Sequence, residues 1–371
     1  MDNAVAAPQS HDLHDLRTCD PALDELAAHV QEAAACEAAR LSAEELGGEL
    51  PGKVLVTGSS GYLGSALVQA LRLRGTAVTG IDVRASATTD IVGSVADGVL
   101  MQQAMRECGG VIHTAALHAP HDSSHSEDDF HRVNIQGTAC VLAAATASGC
   151  LVVHSSTTSL TISNAVRERE RADELVWIDE RATPCDRTLQ ENHAPRNKYG
   201  RTKLEAERLC QQAAEEHSLS IVVLRISRCF PEEVLEKLSV PMPAANVKAN
   251  ELLGRRVALV DVVDAHLRAL ARVPMLKYRK FTLCAPWPWS EESTPCSGHA
   301  VAAKVRSQWP KAVEIFEAQG WRLADSITRA YDSSEAVADL GWRPRWTFES
   351  LLSRMMSEDD TLKEDAVLGR Y

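Results

Sequence analysis

A chain of 371 residues has room for about two domains, or for one large domain with a lobe. Hydrophobic residues make up 45% and charged residues 24%, an ordinary soluble mixture, and no apolar run is long enough for a membrane span. The net charge of −12 argues against non-specific nucleic-acid binding, and ten cysteines without a C-x-x-C pair point to reduced thiols in a cytoplasmic protein rather than to disulfides or zinc.

Residues 1–50 form a separate acidic stretch, with eleven carboxylates against two arginines. "DPALDELAAHVQEAAACEAARLSAEEL" has helical composition, with Asp20 placed as N-cap, Pro21 at the first helical position and Gly47-Gly48 as a stop. The expectation is a helical appendage or a partly disordered arm, without a secretory or transit signature. From residue 53 strands and helices alternate: "KVLVTG", then "YLGSALVQALRLRG", then "AVTGIDV". "GVIHTAA", "DDFHRVNIQGTACVLAAATASG" and "CLVVHSS" continue the pattern, followed by a helix around residues 197–209 and the strand "SLSIVVLRIS". β-branched apolar strands between helices predict an α/β fold with a doubly wound parallel sheet covered on both faces. Six of the seven tryptophans fall after residue 280, which marks a smaller C-terminal lobe; the polar end "SEDDTLKEDAVLGRY" reads as a fraying tail. The expected units are 1–50, the core at 51–230, and a lobe at 231–371 whose residues 256–272 return to the core.

"VLVTGSSGYLGSAL" sets Gly58, Gly61 and Gly64 between a strand and a helix. Glycines allow a sharp turn and close approach of backbone N–H groups to a pyrophosphate, which then faces the positive end of the helix. Gly58, Ser60, Gly61, Tyr62, Leu63 and Gly64 are therefore expected to hold a dinucleotide. Asp82 closes the second strand, where a carboxylate accepts ribose hydroxyls and repels a 2′-phosphate; this favours NAD over NADP, although Arg84 lies two residues later.

In "NKYGRTKLEAERL", Tyr199 and Lys203 stand one helical turn apart on one face. A free tyrosine has a pKa of ~10, too high for a base at neutral pH. An ammonium ~4 Å away at an effective dielectric of 20 is worth roughly 4 kcal/mol, enough to lower it by about three units.

Taken together, "TGSSGYLG", "GIDV", "VIHTAA", "VNIQGTACVL", "HSSTTS", "NKYGRTKLEAE", "ALVDVVDAHLRAL" and "LGWRPRWTF" resemble the extended short-chain dehydrogenase/reductases, which include NAD-dependent sugar epimerases and dehydratases. The resemblance implies a Rossmann-like core with a smaller C-terminal substrate-binding lobe. It implies catalysis by Tyr199, Lys203 and Thr157, with Asn134 supporting them; Tyr199 and Lys203, which also anchors the nicotinamide ribose, count among the cofactor contacts, with Thr114, Ala115 and Ala116 close to the cofactor. It also implies a homodimer. His118 and His121, in the loop after the fourth strand, together with Ser156 and Arg256, are expected substrate contacts; no metal is expected.

Thr158-Ser159 stand where dehydratases carry Asp-Glu, which argues against water elimination, and a short segment before Arg256 points to a smaller substrate than a nucleotide sugar. The expected function is an NAD-dependent epimerase acting by reversible hydride transfer at a secondary alcohol of a sugar, nucleotide sugar or similar polyol. The alternative is a net NAD(P)-dependent dehydrogenase or reductase of a small sugar or uronic-acid-like substrate. A non-catalytic dinucleotide sensor is the third reading, and it would be expected to lack the tyrosine or the lysine.

Overall fold

A computed structural model of the protein describes residues 21–118, 123–181, 194–229 and 242–371. Among the described residues nine strands run in chain order: β1 (Lys53–Thr57), β2 (Ala77–Asp82), β3 (Ile91–Val92), β4 (Gly110–His113), β5 (Leu151–Thr157), β6 (Val176–Ile178), β7 (Ile221–Ile226), β8 (Tyr278–Leu283) and β9 (Arg329–Tyr331). Seven of them form one parallel sheet in the order β3-β2-β1-β4-β5-β7-β8, and β6 pairs with β9 in a second, two-stranded parallel sheet. The order reverses between β1 and β4, so the crevice at the carboxyl ends of these strands is the position where such sheets bind ligands.

The helices used below are α1 (Pro21–Ala39), α2 (Ala43–Leu46), α3 (Tyr62–Leu73), α4 (Gly98–Met105), α5 (Glu127–Phe130), α6 (Gly137–Ser148), α7 (Asn164–Arg171), α8 (Lys198–His217), α9 (Ala244–Glu251) and α10 (Leu259–Leu276). Alternation along β1 explains how they cover both faces of the sheet. Val54 and Val56 enter a core shared with α1, α3 and α10, whereas Leu55 enters a second core shared with α4, α6 and α8. Each such side chain, fully buried, is worth about 1.5–3 kcal/mol.

Of the acidic N-terminal stretch, the described residues 21–50 pack against the core. α1 is helical from Pro21, the first described residue, and Val30, Ala34, Ala35 and Ala38 pack into the first core while Glu25 and Glu32 face solvent. Asp20 lies outside the described residues. Arginines close the ends of this region: Arg74 Nη1 donates to Ala39 O at 3.2 Å and Arg272 Nε to Leu46 O at 3.1 Å. They satisfy carbonyls that a helix end leaves unpaired.

A separate cluster built from α9 and later elements contains Trp321, Trp346, Phe316 and Phe348, as the tryptophan-rich composition suggested. Trp342 instead sits fully buried in the main core and donates to Asp261 O at 2.8 Å. The polar C-terminus is held rather than frayed: Tyr371 stacks on Trp346 at 4.5 Å, and Lys248 Nζ donates to Gly369 O at 2.8 Å.

Candidate active site

The turn after β1 is built around Gly58, at φ +71°, where an added Cβ would lie 2.8 Å from both Ala115 N and Thr114 Oγ1. Gly64 is equally constrained, since its Cβ would fall 2.0 Å from Gly58 O. Helix α3 has Gly61 as its N-cap, so no side chain caps its start. Asp82 accepts from Ser60 N–H and from Arg84 N–H, both at 3.0 Å, one on each carboxylate oxygen, and each oxygen keeps a second lone pair. Ser60 Oγ is buried with no hydrogen-bond partner among the described residues. An uncapped helix start, an orphaned hydroxyl and a carboxylate with spare acceptors fit a dinucleotide: pyrophosphate at Gly58–Gly64, ribose hydroxyls at Asp82.

Thr114 Oγ1 donates to Thr57 O at 2.7 Å and fixes the segment that continues into Ala115 and Ala116. A buried relay runs from there. Ala115 N–H donates to Thr57 Oγ1 (3.2 Å), whose hydroxyl donates to His113 Nδ1 (2.7 Å); Nε2–H donates to Thr138 Oγ1 (3.1 Å), which donates to Asn134 O (2.7 Å). The tautomer follows from the last donor, and burial holds the His113 imidazole neutral, with its pKa lowered to about 3. Asn134 lies in a π-helical segment, His131–Gln136. Its side chain clamps the backbone of Leu117, accepting from N–H at 2.8 Å and donating to O at 3.0 Å, and it also donates to Thr202 Oγ1 on α8. Asn134 thus ties the end of β4 to the tyrosine helix, and π-bulges of this kind recur at functional sites.

Tyr199 begins the inward face of α8, with Lys203 and Glu207 following at four-residue spacing. The Thr157 hydroxyl interacts with the phenol and favours its ionised form, but burial dominates and pushes Tyr199 up to about 12. Lys203 is 2% exposed, and its Nζ donates to Ser155 O at 2.7 Å and to His154 Nε2 at 3.1 Å; burial lowers it to about 8. The expected lowering of the phenol by this ammonium is therefore not seen: in this state the lysine is turned to the β5 backbone. Ser155 hydrogen-bonds His266 at 2.8 Å.

His118 is exposed and stacks on the Tyr199 ring at 5.6 Å, and its predicted partner His121 lies outside the described residues. Ser156 and Arg256, expected to touch substrate, are buried and already partnered. Ser156 Oγ donates to Glu207 Oε1 at 2.6 Å, and Arg256 pairs with Glu251 at 3.0 Å. Both lie within the protein because β5 alternates and because Arg256 bridges to Arg228 past the end of β7. Sequence reasoning missed His154, His266 and the Glu207–Arg225 pair. Glu207 had a signal, the four-residue spacing after Lys203; the others depend on strands and helices far apart in the chain. Among the described residues no group of three or more His, Cys, Asp and Glu side chains is arranged for a metal ion, and no helix is long and apolar enough to cross a membrane.

A parallel α/β sheet with a glycine turn, an acid at the end of β2 and a tyrosine beside a strand-end threonine define a dinucleotide-binding protein of the short-chain dehydrogenase/reductase type. The chain belongs to the NAD dependent epimerase/dehydratase family, whose model matches residues 54–281. A UDP-glucose 4-epimerase of Azospirillum brasilense is 28% identical over 254 residues, 59% of this chain and 68% of that protein. A 4-hydroxy-2-methyl-3-oxo-4-farnesyl-3,4-dihydroquinoline-1-oxide ketoreductase of Stigmatella aurantiaca is 36% identical over 102 residues, 25% of this chain; the match spans only 29% of that enzyme's length. Among solved structures, a short-chain dehydrogenase/reductase superfamily protein from Agrobacterium tumefaciens with bound NAD superposes with a TM-score of 0.57 at 23% identity. The match covers 86% of this chain and 97% of that one, a likeness of fold.

Proposed function

We propose that the chain is an epimerase that works by reversible hydride transfer at a secondary alcohol of a sugar or similar polyol, with Tyr199 as acid and base and NAD rather than NADP as cofactor. The observation that carries this reading is the packing of α8, with Tyr199 on its inward face, against β5, whose carboxyl end holds Thr157 near enough to favour the ionised phenol. Asp82 supports NAD, because its carboxylate would repel a 2′-phosphate. When bound, the nicotinamide supplies the hydride acceptor and donor and a positive charge beside the phenol.

The chain's own groups divide the remaining work. Thr157 Oγ1 orients the substrate oxygen toward the Tyr199 hydroxyl. A phenol at about 12 is protonated at neutral pH, so the resting site is set to deliver a proton to a carbonyl oxygen. Removing an alcohol proton requires the phenol to fall by about five units, roughly 7 kcal/mol of added preference for tyrosinate. Lys203, one turn from the phenol, would add to that preference were its ammonium directed at the site when the cofactor is bound. Asn134 holds the floor of the site through Leu117 and Thr202.

Tyr199→Phe is expected to lower turnover by ~10²–10⁴-fold while NAD⁺ binding, followed by fluorescence titration, stays unchanged. Turnover that survives the substitution sinks the assignment. Retention of the dinucleotide through purification, without net NADH release, supports epimerisation; steady NADH accumulation with a polyol identifies a dehydrogenase instead.

A further inference from the structure

Helix α1 lies outside residues 54–281, which the family model matches, yet it touches the glycine turn. Gln31, half-buried on α1, donates from Nε2 to Tyr62 O at 2.9 Å. A carbonyl oxygen only accepts, so the amide nitrogen of Gln31 is the atom that faces it. Tyr62 is the first residue of α3, and its carbonyl belongs to the same peptide group as the Leu63 N–H. The first amides of a helix have no intrahelical acceptor, and no side chain caps α3. Leu63 N–H is thus among the donors left for the pyrophosphate that Gly58–Gly64 would hold.

One peptide group therefore faces two ways. A hydrogen bond accepted at its oxygen polarises the group and makes its N–H the stronger donor, by ~10–30%. The same bond fixes the plane of the peptide, so less order has to be imposed when a phosphate oxygen arrives. The helix that carries Gln31 is itself anchored. Val30 and Ala34 enter the first core, against which Tyr62 and Leu63 also pack. Glu37 pairs with Arg345, whose N–H donates to Asp261 Oδ1 on α10 at 2.7 Å, and Arg74, just past α3, holds the last carbonyls of α1. α1 and α3 thus run side by side in the same sense. Neither partner needs the Gln31 bond to be satisfied: Tyr62 O keeps its intrahelical donor, and a half-buried amide reaches water.

We propose that Gln31 is a positioning residue for the dinucleotide: through Tyr62 O it aligns and polarises the Leu63 amide toward the pyrophosphate, which gives the N-terminal helix a part in cofactor binding. The proposal rests on the reading of the glycine turn as the NAD site and adds to it a residue from outside the matched family region.

The test is fluorescence titration of the full chain, freed of dinucleotide, with NAD⁺ and with ADP-ribose, which keeps the pyrophosphate and lacks the nicotinamide. Gln31→Met, similar in shape but without a donor, should weaken both by ~3–10-fold, the usual loss for about one hydrogen bond. The denaturant midpoint of the dinucleotide-free variant should not move. Should that variant fold poorly, Gln31→Glu, which turns only acceptors toward Tyr62 O, should weaken both ligands at least as much. Gln31→Lys, with a donor still in reach, should keep the wild-type affinity or exceed it, and Ala33→Ser, on the exposed side of α1, should leave it unchanged. Affinity that is unaltered in the Met and Glu variants overturns the proposal, as does an equal loss in the Lys variant or a loss that appears only together with a lowered midpoint. Weakening of NAD⁺ but not of ADP-ribose also overturns it, because the effect then arises at the nicotinamide end. A wild-type chain that binds neither ligand refutes the reading of the glycine turn, and this proposal with it; a wild-type chain that binds both, with variants that match it, refutes the proposal alone.

Discussion

Two arginine clusters lie near the carboxyl end of the sheet, and they are built in opposite ways. Around Arg225 everything closes: Nε and Nη2 meet the Glu207 carboxylate at 3.0 and 2.7 Å, Nη1 donates to Glu180 O at 3.0 Å, and Ser156 donates to the same Glu207. Around Arg255 the charges remain open among the described residues, with four arginines, Arg167, Arg171, Arg196 and Arg255, against one engaged carboxylate, Glu170. A buried ion pair with every donor matched holds elements together, here β7 to α8. Positive charge without a partner among the described residues contributes no such hold and repels its neighbours instead.

The contrast can be broken most forcefully at the closed cluster. Glu207→Leu leaves Arg225 buried and uncompensated, and it should cost about 3–5 kcal/mol by denaturant titration; Glu207→Leu/Arg225→Met should recover most of that loss. If the single and double variants are equally unstable, the pair is not the holding element. Next in size is the cofactor end of the site. Asp82→Asn should weaken NAD⁺ by ~10–100-fold and narrow the preference over NADP⁺, measured by fluorescence titration.

Lys203 gives a smaller effect, with a sign that can be worked out. Burial lowers it to about 8 from the ordinary 10.5, so between these values the folded chain has released a proton that the unfolded chain keeps. Stability attributable to this group should therefore rise with pH across that window, by about 1.4 kcal/mol per unit, and Lys203→Met should remove that part of the slope. The smallest effect separates the two clusters most cleanly. Arg255→Gln should leave the unfolding free energy unchanged or raise it by up to ~1 kcal/mol by denaturant titration, because it relieves repulsion among like charges. A loss on the scale of the Glu207 variant would show that Arg255 is a structural residue after all.

Local patterns in the chain carried a large part of this description. The glycine turn, the acid at the end of β2, the parallel sheet and the Tyr199–Lys203 spacing were all legible, because each follows from residues near one another in sequence: strand alternation, helical periodicity, a turn that only glycine can make. The placement of Ser156 and Arg256 was not. Whether a strand-end serine faces substrate or a glutamate depends on which helix covers that face, and α8 brings Glu207 there from 51 residues away. Composition could describe residues 21–50 as an acidic helix, but only packing against α3 and α10 made that helix part of the core. The state of the phenol likewise depends on its surroundings: spacing put an ammonium one turn from Tyr199, and the fold turned that ammonium toward Ser155 and left the phenol half-buried and raised. Periodicity in the sequence determines which way side chains point along an element; charge balance and desolvation belong to the assembled elements, because they are set by neighbours that meet only when the chain has folded.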